Sequence, residues 1–205
     1  MAIIDGMSIS CGDLQAVGGT RLIAIREWSN LVTVAFDDPT HGINSMLYSG
    51  GTLNWGVFES RIESSSLTVS GTSEGKEFTT YECTLSWFVP GMTASQFLRL
   101  HEFDGKCLMA LVIDNNDATT SDSAAALTYA SNKVIGVSNT LPNDDKPSKT
   151  QQYARLVSVE GGTGGAFSDE IGVTVTIAST QLEIPRKYEG TIVLGALGTT
   201  LTTDV

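Results

Sequence analysis

The chain has 205 residues, of which 41% are hydrophobic and 17% charged, so it can bury a core and lacks the composition of a disordered segment. Twelve basic and 23 acidic residues give a formal charge of −11, which excludes gripping nucleic acid through clustered phosphate contacts but leaves a polyanion free to pass without sticking. No run of 18 apolar residues occurs, so no membrane span is expected, and MAIIDGMSISCGD (1–13), with two acids and no positive charge, does not read as a signal peptide.

TRLIAI (20–25) and LVTVAF (31–36) read as strands either side of REWSN, and THGINSMLYSGGT (40–52) as a loop. SSLTVSG (65–71) and EFTTYECTLSWF (77–88) flank the turn GTSEGK and form a hairpin. In the second strand Tyr81, Cys83, Leu85 and Trp87 share one face, and Thr80, Glu82, Thr84 and Ser86 the other, which is the alternation of a half-buried strand. A helix is predicted over 93–103. Pro90-Gly91 precedes it, Thr93-x-x-Gln96 makes a capping box, and Gly105 closes it. Phe97, Leu98, Leu100 and Phe103, with Met92, share its apolar face.

CLMALVI (107–113) is an unbroken apolar run of strand length, expected to be buried on both faces. A polar, small-residue excursion (114–132) follows, then a strand at 133–139, a charged loop at 142–150 and a strand at 152–159. The Gly-rich loop 160–170 leads into a strand over 171–179, where Ile171, Val173, Val175 and Ile177 alternate. Residues 181–195 add one or two edge segments, with Pro185 barring a central position, and the tail 196–205 is loosely held unless another subunit pins it. The sum is a single β domain over 1–205: an antiparallel sandwich or barrel of about ten strands with one mid-chain helix.

Tests for chemistry come back negative. EGGTGGAFSDE (160–170) has the glycines of a phosphate loop, but no Lys or Arg lies between Arg155 and Arg186, and a strand follows where a helix N-terminus is needed. DNND (114–117) with Ser121 and Asp122 fails the EF-hand pattern, since Thr119 and Ala125 stand at its sixth and twelfth positions; an oxygen cage of another kind and an Asx-rich turn both remain open. The two histidines, His41 in a turn and His101 on the polar side of the helix, accompany no G-x-S-x-G and no clustered thiols. The three cysteines, Cys11, Cys83 and Cys107, lie far apart and read as free, reduced, buried thiols. Trp87 belongs to a core face, whereas Trp28 and Trp55 sit near turns and suit an interface. No catalytic residue, cofactor or metal is expected. The low charge instead implies a surface of Ser, Thr, Asn and Gly, or one covered by other subunits.

LSWFVPGMTASQFLRLHEFDGKCLMALVIDNN (85–116) and YARLVSVEGGTGGAFSDEIGVTVTIASTQLEIPRKYEG (153–190) together resemble the major tail tube proteins of tailed phages, in the order of paired strands, one helix, then buried and alternating strands with long loops. The resemblance implies a virion structural protein, assembled in the bacterial host cytoplasm. Its partners would be itself, in hexameric rings stacked into a tube, and other tail proteins, with DNA passing through the lumen unbound. It also implies ring-to-ring contacts from loops and termini, for which Gly161, Gly162, Gly164, Gly165 and Phe167 in the Gly-rich loop, Leu197 and Leu201 in the tail, and the loop 40–52 are the candidates, unless these are ordinary solvent loops. Another virion part (a capsid decoration protein or tail terminator) and a β-sandwich carbohydrate-binding or hydrolytic module are the alternatives.

Overall fold

The computed structural model describes residues 19–48, 56–59, 64–73, 79–91, 94–114, 132–139, 152–162 and 171–189. They form, in order, β1 (Thr20–Glu27), a 3-10 turn (Trp28–Asn30), β2 (Leu31–Asp37), β3 (Gly42–Tyr48), β4 (Gly56–Glu59), β5 (Ser65–Thr72), β6 (Thr80–Pro90), α1 (Ala94–His101), β7 (Leu108–Asp114), β8 (Asn132–Ile135), β9 (Arg155–Gly162), β10 (Gly172–Gln181) and β11 (Lys187–Tyr188). The chain is mainly β. The strands make three sheets, ordered β4-β1-β7-β8, β5-β6-β10-β9 and β11-β3-β2.

The β4-β1-β7-β8 sheet is the middle layer. Along β7, LMALVID, every residue but Asp114 is buried, because alternate side chains enter different cores. Leu108, Ala110 and Val112 join Ile23 and Ile25 of β1 against Cys83, Leu85 and Trp87 of β6 and Val173, Val175 and Ile177 of β10. Met109, Leu111 and Ile113 join Ala24 of β1 against Val34, Ile43, Met46 and Tyr188 of the β11-β3-β2 sheet. Each large aliphatic side chain so buried contributes about 1.5–3 kcal/mol relative to exposure, so one strand stabilises two interfaces. Within the first core, the Phe58 ring lies 5.7 Å from that of Trp87 and 5.6 Å from that of Phe103, which ties β4, β6 and the turn after α1 together.

Single backbone bridges fasten the layers at their corners. Leu108 and Ala154 exchange two N–H···O bonds of 2.8 Å, joining β7 to the run-in of β9. Val134 donates to the Arg186 carbonyl at 2.8 Å, so the segment leading into β11 lies against β8 while β11 itself pairs in parallel with β3. This parallel pair makes the third sheet mixed, where the sequence suggested antiparallel pairing throughout. Among the described residues the sheets stack and none closes into a barrel.

The strand alternations, the β5–β6 hairpin, the doubly buried β7 and the edge position of β11 after Pro185 follow the sequence reading. Three expectations are corrected. The loop 40–52 is a strand over its middle, since β3 occupies Gly42–Tyr48 and its Ile43 and Met46 fill a core. The first three residues of the expected Gly-rich loop are strand, because Glu160, Gly161 and Gly162 belong to β9 and pair with Thr174, Val173 and Gly172. The apolar face of α1 is divided: Leu100 is buried and Phe103 packs on the core, while Phe97 and Leu98 are 43% and 62% exposed.

The glycine positions have a steric cause. A Cβ on Gly161 would come within 2.2 Å of the Gly172 carbonyl oxygen and 2.6 Å of Val173 Cγ1, and one on Gly172 within 2.3 Å of the Phe88 ring. Gly161→Ala must therefore push apart two backbones; it is expected to cost about 1–3 kcal/mol, as overpacking does, read as a lower urea midpoint at unchanged slope.

Candidate functional site

The β5-β6-β10-β9 sheet buries one face only. Register and pleat place the other face's residues in rows across the strands. Ser66, Ser86, Thr176 and Ser158 make one row, Thr68, Thr84, Ala178 and Arg155 the next, and Ser70, Glu82 and Thr180 a third. Towards the other end Phe88, Thr174 and Glu160 follow. This face is a lawn of hydroxyls, some bonded to one another, as Thr176 Oγ1 is to Ser86 Oγ at 3.4 Å. The four strands contain no Lys and a single Arg, Arg155, whose guanidinium stacks 4.7 Å from the Tyr153 ring and donates to its hydroxyl. The face therefore offers two carboxylates, many short hydroxyls and no free-standing cation.

Both edges of this sheet are open among the described residues, since β5 and β9 each pair on one side only. Which backbone groups point outward follows from the ladder. Phe88 N–H donates to the Ser64 carbonyl at 3.1 Å, so Ser64 and Phe88 are a hydrogen-bonded pair. Alternation then turns the groups of Ser66, Thr68 and Ser70 towards β6 and those of Leu67, Val69 and Gly71 outward. Likewise Gly91 N–H donates to the Ile171 carbonyl at 2.9 Å, so the groups of Gly172, Thr174 and Thr176 face β9, and on β9 those of Val159 and Gly161 point outward. The outward residues on both edges carry their side chains on the core face. A strand of one copy's β5 and a strand of another's β9 thus have matching pleat, and joining them antiparallel would continue the hydroxyl face without a break. Val157, in a bulge of the β9–β10 ladder, is 64% exposed and interrupts the lower part of that edge.

A second constellation surrounds Arg186, which is 4% exposed. Its guanidinium donates from Nε to Glu183 Oε1 at 2.9 Å and from Nη2 to Glu183 Oε2 at 2.8 Å, a bidentate pair. Nη2 also lies 3.0 Å from Asp38 Oδ1, and the Phe36 ring sits beneath at 5.0 Å. Asn139 donates from Nδ2 to Asp38 at 3.2 Å and from its backbone N–H to Glu183. The hydrogen bond from Asn139, then the one from Arg186, holds the Asp38 carboxyl below its ordinary range. Burial works against the Arg186 charge, but the bonds and charge of Glu183 and then of Asp38 outweigh it and leave its pKa raised. Both carboxylates are thereby spoken for. The cluster clasps the β2–β3 turn to the β10–β11 connection.

The remaining sequence candidates fall as follows. His41, at a φ of 53°, donates from Nε2 to the Ile184 carbonyl at 3.0 Å within that clasp, and His101 is exposed on α1. Trp28 is half-buried against the second core, 6.1 Å from the Tyr153 ring, so its packing is internal. Cys83 is buried, and burial followed by the charge of Glu82 pushes its thiol up to about 11, which makes it inert; Cys107 is half-buried rather than buried, and both are free. Among the described residues no group of three or more His, Cys, Asp or Glu is placed to hold a metal. Trp55, Gly164, Gly165, Phe167, Leu197, Leu201, Cys11 and all of DNND beyond Asp114 lie outside the described residues. The hydroxyl face itself was within reach of the sequence. The period-two reading exposed Thr80, Glu82, Thr84 and Ser86 on β6, and the same rule applied to β5 and β10 lifts out Ser66, Thr68 and Ser70, and Thr174, Thr176 and Thr180.

Arg186→Ala leaves half-buried Glu183 with only the Asn139 N–H and is expected to cost about 1–3 kcal/mol by urea unfolding, as for other buried groups that lose a partner. The lowered pKa of Asp38 means that its contribution is present at neutral pH and drains away as pH falls through its folded-state value, so Asp38→Asn should flatten the acid limb of a stability-against-pH series. No protein-family model, no curated protein and no solved structure matches the chain.

Proposed function

We propose that the chain is the subunit of a hollow tube of the phage tail tube kind: a structural virion protein that joins edge to edge into rings, stacks, and passes DNA through the bore. The observation that carries this reading is the β5-β6-β10-β9 sheet, with an uncovered hydroxyl face and two open edges of matching pleat. Its strands alternate in direction, so a neighbour's β9 laid beside β5 continues the antiparallel order, and a head-to-tail contact of this type makes a ring when its rotation closes.

The sense of curvature follows from bulk. The core face carries the two other sheets, which need the roomier outside of the ring, so the hydroxyl face lines the bore. A bore of Ser and Thr with Glu82 and Glu160 outnumbering its one Arg, which is stacked on Tyr153, is net negative and offers a polyanion no cluster of cations to trap it. The net charge of −11 works in the same direction. A carbohydrate-binding face needs exposed aromatic platforms, and among the described residues the aromatics here are Phe88, half-buried over Gly172, and at its margin Tyr153, half-buried and stacked with Arg155. The reading makes the protein a non-enzyme whose partners are further copies of itself and other tail proteins.

Proline gives a surgical test, because the N–H groups of Val69 and Val159 point away from the sheet and their loss removes no internal bond. The wild-type protein, concentrated and viewed in negative stain, is expected to form long hollow filaments, and Val69→Pro and Val159→Pro to retain the wild-type far-UV spectrum without filaments. Discrete trimers or a species that binds capsids would point to a decoration protein instead, and filaments from either proline variant would remove the edge-joining scheme.

A further inference from the structure

We propose that the unassembled chain pairs with a second copy of itself through β5, forming a two-fold dimer in which each copy caps the other's open edge. The pairing stands apart from the tube reading; its effect on assembly rests on it.

The two edges of the hydroxyl-faced sheet are not equivalent. β9 carries Arg155 at its start, Glu160 near its end and the Val157 bulge between, all features that discourage pairing with its own kind. β5, Ser65–Thr72, has none of these protections: no charge, no proline, and an unbroken eight-pair register with β6. In a chain of charge −11 this is a place where two copies can meet without opposing charges at the contact. Residues Thr68, Val69, Ser70, Gly71 and Thr72 are all exposed, so the edge is open to solvent over most of its length.

Geometry fixes one register. The Ser65 end is closed, because Ser65 is buried and its Oγ donates to the Thr20 carbonyl at 3.0 Å. The outward backbone groups are therefore those of Leu67, Val69 and Gly71, symmetric about Val69. A second β5 laid antiparallel with its two-fold axis at Val69 sets Val69 opposite Val69 of the second copy, and Leu67 opposite its Gly71. Three N–H and three C=O groups on each copy then satisfy one another in full, and the bulkier Leu67 meets a residue with no side chain. Any register shifted by two residues leaves a third of these groups unpaired, and a shift of one turns hydroxyls onto the apolar face.

A neighbour's β9, with outward groups at Val159 and Gly161, needs partners from this same row on β5, so the dimer and the ring exclude each other. Self-pairing holds free subunits back until a growing tube end, offering a β9 edge, competes for them.

Sedimentation equilibrium separates the two contacts. Val159→Pro blocks the ring contact alone and is expected to show a concentration-dependent monomer–dimer equilibrium. Adding Val69→Pro in that background should raise the dissociation constant by at least about tenfold, the effect of losing one good interaction. Val69→Lys provides a second route that keeps every backbone group, since it sets two like charges directly opposite at the two-fold axis; it too should dissociate the dimer. A Val159→Pro protein that stays monomeric to millimolar concentration overturns the proposal, as does a dimer that survives both changes at Val69. A dimer of Val159→Pro alongside a wild type that never forms filaments upholds the pairing while removing the tube reading.

Discussion

Burial of β7 on both faces is the constraint from which the architecture follows. A strand whose neighbours on the pleat point into two different cores cannot lie on the outside of anything, so it forces a sheet above and a sheet below. β1 obeys the same rule, with Ile23 and Ile25 on one side and Ala24 on the other. Everything outside this middle layer needs only one apolar face, which is why β6 and β10 alternate cleanly. The freedom left to their outer face is what the hydroxyl rows occupy.

That division of labour also separates stability from interaction. Apolar area and the Arg186 clasp hold the three layers together, whereas the candidate surface for other copies is made of backbone edges and small hydroxyls that contribute little to the isolated fold. Substitutions on the uncovered face are therefore expected to leave folding largely unchanged. Exposed Phe97 and Leu98 on α1 lie apart from that face, and no neighbour within the described residues covers them.

Much of the layering is legible in the sequence, because period two and an unbroken apolar run encode one-sided and two-sided burial directly. CLMALVI and the two faces of β6 could be assigned from residues 81–87 and 107–113 alone. Two kinds of feature could not. GINSMLY reads as part of a loop, since its polar Asn44 and Ser45 break the run and its outer edge is completed by β11, a two-residue strand far along the chain. EGG (160–162) reads as the start of a Gly-rich loop, since glycine signals equally a bend and a close approach of backbones, and the clash of a Cβ at Gly161 with Gly172 tells them apart. The open edges were likewise hidden, because an edge is defined by which strands fail to pair. Arg186 in particular shows the limit: in sequence it is a basic residue two positions from Tyr188, and only the fold brings it onto Phe36 and Asp38.

The clasp also fixes an order of events. Its bonds join residues that leave the ribosome far apart, Arg186 reaching back 144 residues to the Gly42 carbonyl and Glu189 lying 149 residues from Thr40. The β2–β3 hairpin is made early and waits, one edge uncovered, for a two-residue strand made near the end of the described chain. Closure of the third layer thus comes long after its hairpin is made, and loop-closure entropy makes such distant contacts slow to form. Until then the nascent chain carries β3 with its outer edge unpaired, an interval in which that edge is open to wrong pairing and a chaperone is of most use to it.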